Sequence, residues 1–142
     1  MLIRAEAVAR GIVPRWYCTF CYMWLAYPVF NRAEAFRMTQ HYLVITSWPD
    51  LDGAKAQARD WLDKKLAASI NILPEMDSIY VWKGEQRHGK EHKIFIKTSA
   101  ERLDQLQRAI RDAHPYAVAE ILHFKIDSGD SEYLDWIADT TG

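Results

Sequence analysis

The feature that most constrains this chain is one long extended stretch and its return. From Ser69 to Lys83 the sequence SINILPEMDSIYVWK reads as a strand, rich in β-branched and aromatic residues. Pro74 marks a bulge or bend within it, because proline cannot donate to a β-ladder. Gly84 to Gly89 is the polar turn of a hairpin, and EHKIFIKT, Glu91 to Thr98, is the returning strand. Ile79 and Val81 alternate with Tyr80 and Trp82, and Phe95 with Ile94 and Ile96. Both faces of the hairpin therefore carry large side chains, and both need cover.

The flanking segments supply part of that cover. HYLVITS, His41 to Ser47, is apolar on both faces, as an interior strand should be. Asp50 is placed to cap a helix in which Ala54, Ala58, Trp61, Leu62 and Leu66 form a stripe at helical spacing. After the hairpin, Thr98 and Glu101 have the spacing of a capping box for a second helix with Leu103, Leu106 and Ile110 inward. His114-Pro115 stops that helix. Val118 to Ile126 is predicted as a fourth strand, and Asp130 starts a short helix carrying Tyr133, Trp136 and Ile137. The order βαββαβ plus a short C-terminal helix is the split-βαβ or ferredoxin-like arrangement, an α+β sandwich. Its two helices cover one sheet face. For the other, association of identical copies is the economical cover.

At 142 residues the chain holds one domain with a real core. Its net charge of -1 divides unevenly. Up to Arg37 there are five Arg against Glu6 and Glu34, whereas from Met38 onward 13 Lys and Arg face 17 Asp and Glu. An acidic body without a basic stripe argues against nucleic acid as a partner. WYCTFCYMWLAYPVF, Trp16 to Phe30, is uncharged, but it is short of the roughly 20 residues that cross a bilayer and Pro28 interrupts it. Arg4, Arg10 and Arg15 before it and Ala33-Glu34-Ala35 after it outline a signal peptide, while its Trp, Tyr and Cys content favours an appendage. Cys18 and Cys21 have the spacing of half a zinc site or a redox pair, with no second pair to complete it. The expected organisation is an extension over residues 1–37, a non-native start or targeting segment, and a domain over 38–142. The domain has no thiol, which suits a reducing compartment, and a cytoplasmic location without membrane attachment is expected.

Motifs narrow the chemistry. HGKEH, His88 to His92, matches a zinc-peptidase pattern that works only on a helix. On a strand the two histidines stand roughly 13 Å apart and cannot share one zinc ion. A Walker-type phosphate loop and a nucleophile elbow are absent from the sequence. The small acylphosphatases of the same fold need an arginine-bearing loop after the first strand, where this chain has Thr46-Ser-Trp-Pro-Asp50. What remains is a polar cluster on strands: Lys97, Glu120, Tyr80 and Tyr116, enclosed by Trp82 and Trp136. Glu120 stands in an apolar row, so a partner must offset its desolvation, and Lys97 is the expected one. A structural ion pair at a subunit contact and a ligand pocket explain this cluster equally well.

KKLAASINILPEMDSIYVWKGE, IKT, HPYAVAEIL and YLDWI, in this order and spacing, resemble the CutA divalent-cation-tolerance proteins from about Tyr42 to Ile137. The shared positions are Lys65 to Ala68, Asn71, Pro74, Tyr80, Trp82, Gly84, Lys97, Thr98, His114, Pro115, Tyr116 and Glu120. The resemblance implies a ferredoxin-like homotrimer with clefts between subunits, lined or braced by Tyr80, Trp82, Lys97, Tyr116 and Glu120. It implies a role in tolerance of copper and other divalent metals, without an enzymatic activity. Copper-binding bacterial relatives offer a Cys after the first strand and a His-His pair before Pro-Tyr. Here Thr46 and Ala113 take those places, Ser69 replaces another common Cys, and Glu75 follows Pro74. His114 is left as the one expected metal ligand, so copper binding should be weak. The alternative is a trimeric small-molecule sensor similar in plan to the PII signalling proteins, with its ligand in the intersubunit cleft.

Overall fold

The computed structural model describes residues 40–142; the expectations for residues 1–37, including the Cys18 and Cys21 pair, lie outside the described residues. The chain runs β1 (His41–Trp48), α1 (Leu51–Asp63), β2 (Ser69–Trp82), β3 (Glu85–Ser99), α2 (Ala100–Ala113), β4 (Leu122–Ile126) and α3 (Ser131–Thr141). The four strands form one antiparallel sheet in the order β2-β3-β1-β4, the ferredoxin-like topology. Val44, Ile94 and Ile96 on the sheet pack with Trp61 of α1 and with Leu106 and Ile110 of α2. Asp50 caps α1, its carboxylate accepting from the Gly53 backbone N–H at 2.6 Å. Gly53 is required by a close approach: a Cβ there would stand 2.6 Å from the Trp48 indole nitrogen.

Three local expectations need correction. The second helix is capped at Ser99, not Thr98, and the cap makes no side-chain hydrogen bond. Thr98 points into the core instead, where its hydroxyl donates to the Leu66 carbonyl at 2.7 Å. The hairpin turn is only Lys83 and Gly84, both at positive φ (52 and 80), the backbone that a two-residue primed turn demands. His88 to His92 consequently lies within β3 and not in a turn. The fourth strand starts at Leu122, so Val118 to Ile121 precede it.

The bulge predicted at Pro74 decides which side chains meet. Before it, Asn71 is opposite Phe95; after it, Glu75 is opposite His92, a shift of one residue. That shift exchanges the two faces of the strand. Met76, Ser78, Tyr80 and Trp82 are thereby brought onto the face that carries Ser69 and Asn71, away from α1 and α2. His92 braces the bulge: its ring is buried and Nδ1 lies 3.0 Å from the Leu73 carbonyl oxygen. A motif with the outline of a metal site serves the backbone here.

The second sheet face is not bare, as α3 covers one end of it. The Thr141 hydroxyl lies 2.8 Å from that of Ser99, which shares a face with Lys97 and Phe95. The Arg102 guanidinium donates to the Thr141 carbonyl at 2.6 Å and ties α3 to α2. Further along, Leu122 and Phe124 stay 47% and 50% exposed, and Ile79 and Val81 on the protruding hairpin 67% and 72%. That is more apolar surface than scattered single residues account for.

Candidate functional site

Between the hairpin and the segment after α2 lies an open cleft of about 840 Å³. The strand side contributes Met76, Ser78, Tyr80 and Trp82 from β2, and Glu91 and Lys93 from β3. Pro115, Tyr116, Val118 and Glu120 form the opposite wall, with Ser47 of β1 at its edge. Of the sequence-predicted cleft residues, Tyr80, Trp82, Tyr116 and Glu120 come together. Within one chain, Lys97 and Trp136 do not join them. Trp136 sits on α3 against Tyr133, their ring centroids 5.3 Å apart, and α3 packs at the Ser99 end of the sheet.

The expected partnership of Glu120 with Lys97 is replaced by one with Lys93, whose ammonium donates to the Glu120 carboxylate at 2.6 Å. Strand register explains the exchange. Lys97 is level with Leu43 and, beyond it, Phe124, whereas Ser47 is level with Lys93. Continuing the β4 register past Leu122 brings Glu120 level with Ser47, four residues from the rung of Lys97. Lys97 donates to the Asn71 side chain, and burial on the apolar face pushes its ammonium below the usual lysine range. Lys93 lies on the same face two and four residues away from Phe95 and Lys97, so the alternation could have nominated it. Register alone decides between the two lysines.

The Lys93–Glu120 pair is neither fully exposed nor buried, its side chains retaining 21% and 35% of their accessibility. Lys93→Met and Glu120→Gln should each cost roughly 1–3 kcal/mol, between exposed and buried pairs. A double-mutant cycle by chemical denaturation should show the double mutant recovering part of the loss. Pairing Lys97→Met with Glu120→Gln should give simple addition; coupling in that cycle instead would restore the Lys97 assignment.

His114 positions Tyr116. Its Nδ1 accepts from the Tyr116 backbone N–H at 3.1 Å, so Nε2 carries the proton and donates to the Ser47 carbonyl at 2.9 Å. The imidazole also bridges two rings, 4.8 Å from Trp48 and 5.2 Å from Tyr116, and Trp48 in turn meets Trp61 at 6.1 Å. An aromatic series thus runs from the core to the cleft wall. Burial, then the charge of Glu91 and the nearby Tyr80 hydroxyl, push the Tyr116 phenol above its ordinary range.

As a metal ligand His114 offers no free nitrogen in this arrangement. Among the described residues no three His, Cys, Asp or Glu side chains cluster as a metal site requires. One chain's described residues therefore do not fit a resident metal centre.

Fold and site together define a ferredoxin-like sandwich with a ligand-sized cleft on its second sheet face. Residues 42–140 match the profile of the CutA1 divalent ion tolerance protein family. The chain belongs to that family. It is 35% identical over 100 residues to the divalent-cation tolerance protein CutA of Thermus thermophilus, covering 70% of this chain and 97% of that protein. A CutA homolog from Xenopus laevis is 38% identical over 86 residues, covering 61% of this chain and 57% of that protein. The solved structure of the periplasmic divalent cation tolerance protein CutA from Archaeoglobus fulgidus superposes with a TM-score of 0.69 at 30% identity, covering 72% of this chain and 99% of that one.

Proposed function

We propose that this protein serves divalent-cation tolerance as a homotrimer, binding copper(II) weakly and catalysing no reaction. The observation that carries the trimer is the apolar surface left on the second sheet face and the hairpin, where Phe124 and Val81 stay 50% and 72% exposed. Three copies associating through these faces would bury it. Light scattering of the full chain should give the mass of a trimer at micromolar concentration, and Val81→Asp with Phe124→Asp should shift it toward monomer. A monomeric wild type would overturn the proposal. Domain boundaries at residues 1–37 and 38–142 belong to the same reading. So does a cytoplasmic location, which the family name does not supply, since the Archaeoglobus relative is described as periplasmic. Fractionation of cells expressing the full chain tests it.

The cleft favours a second reading, a small-molecule sensor of the PII kind. At about 840 Å³ it falls within the size range of ligand pockets, and its walls mix aromatic with charged groups. In that reading Tyr80, Trp82, Tyr116 and Glu120 contact the ligand, while Lys97 and Trp136 act from the subunit contact. Ligand-dependent stabilisation of the trimer would support it.

A further inference from the structure

Gly89 is a glycine that the fold does not require. Its φ lies outside the left-handed region, and a Cβ built on it meets nothing within 4 Å. Glycine within a strand is less favourable than alanine, so its presence here calls for a reason outside the chain's own packing. It is opposite Ser78, and the two small residues form a floor between the Met76–Glu91 and Tyr80–Arg87 rungs. Ser78 lines the cleft, and Gly89 is its neighbour across the ladder.

The charge around it has one sign left over. Glu91 and Glu120 line the cleft with a single ammonium, that of Lys93, while the Asp77 side chain lies on the opposite face of β2. Lys93 is already engaged with Glu120 at 2.6 Å, and Asp77 lies 3.1 Å from the His88 ring. Glu91 forms no ion pair or side-chain hydrogen bond among the described residues. Glu91, Tyr80 and Tyr116 line the same cleft, and the Glu91 charge helps push the Tyr116 phenol up. A carboxylate among aromatic rings suits a weakly hydrated cation, which gains from both charge and ring quadrupole. A hard divalent ion would need several oxygen ligands, and no three-group cluster exists among the described residues.

We propose that the cleft binds an organic cation, with an ammonium or guanidinium head seated over Ser78, beside Gly89, and balanced by Glu91. This rests on reading the cleft as a ligand site. The test is a calorimetric titration of the full-length protein with benzyltrimethylammonium and, separately, benzenesulfonate, probes of similar size and opposite charge. The cation should bind and the anion should not. Glu91→Gln should weaken cation binding roughly tenfold, the loss of about one charge-assisted contact. Gly89→Val should abolish binding without lowering the melting temperature or changing the oligomeric mass. If that variant fails to fold, Gly89→Ala provides the same test with a smaller block and should weaken binding. Preferential binding of benzenesulfonate would overturn the cation assignment and leave a ligand cleft in place. Binding of neither probe would overturn the proposal; if Gly89→Val then also breaks up the oligomer, a neighbouring copy fills the floor and the cleft reading falls with it.

Discussion

Trp61→Ala is expected to cost about 3–5 kcal/mol of stability, the range for removing a fully buried large aromatic side chain. Trp61 is completely inaccessible and sits in the core with Val44, Ile94, Ile96, Leu106 and Ile110. Neighbours on both a sheet and two helices cannot collapse together into the space, so most of the cavity should persist. The indole N–H is buried without a hydrogen-bond partner among the described residues. Trp61→Phe should therefore lose less than half as much, since it removes an unpaired polar group along with part of the ring. Denaturant titration at fixed protein concentration measures both. Equal losses for Ala and Phe would show that the N–H is satisfied after all. Because Trp61 meets Trp48, and Trp48 meets His114, the alanine variant should also loosen the cleft wall at Tyr116.

The parts of this molecule legible in the sequence are those set by local chemistry. Asp50 before the Ala54, Ala58 and Trp61 stripe announced α1, and His114-Pro115 announced the end of α2, because caps and stripes act within a few residues. Pro74 announced a bulge, yet not its consequence. Only the register shows that one extra residue turns Tyr80 and Trp82 toward Glu91 and Lys93. Thr98 had the right spacing for a cap and was claimed by the Leu66 carbonyl, a contact 32 residues away in the chain. Glu120 was recognised as needing a partner, but Lys93 and Lys97 look alike along β3. The choice between them follows from where β4 begins, a boundary that local pattern specifies poorly. Glu91 and Gly89 carry no distinct signal in the sequence, because a strand glutamate and a glycine near a turn have ordinary explanations. Their meaning appears only across the ladder.

His114→Ala separates a structural histidine from a metal ligand. The imidazole satisfies the Ser47 carbonyl and the Tyr116 N–H and fills the gap between Trp48 and Tyr116. Deleting it leaves the part-buried Ser47 carbonyl short of a partner and returns the exposed Tyr116 N–H to water, at a cost of about 1–3 kcal/mol. Tyr116 loses both its stacking neighbour and its backbone anchor, so the near-ultraviolet dichroism of the aromatic cluster should weaken. His114→Gln can place an amide donor where Nε2–H stands and should recover part of the stability. His114→Asn offers an acceptor at the Nδ1 position and should restore the Tyr116 contact instead. Copper(II) titrated into wild type and His114→Ala, both below their melting temperatures, should give the same weak affinity. If the alanine variant keeps its stability and loses copper(II) binding, the imidazole is a ligand and the hydrogen bonds described for it are not what holds it. If instead stability falls and copper(II) affinity stays level, tolerance in this protein works through something other than His114. The cleft wall that His114 holds in place is then the feature through which to look for it.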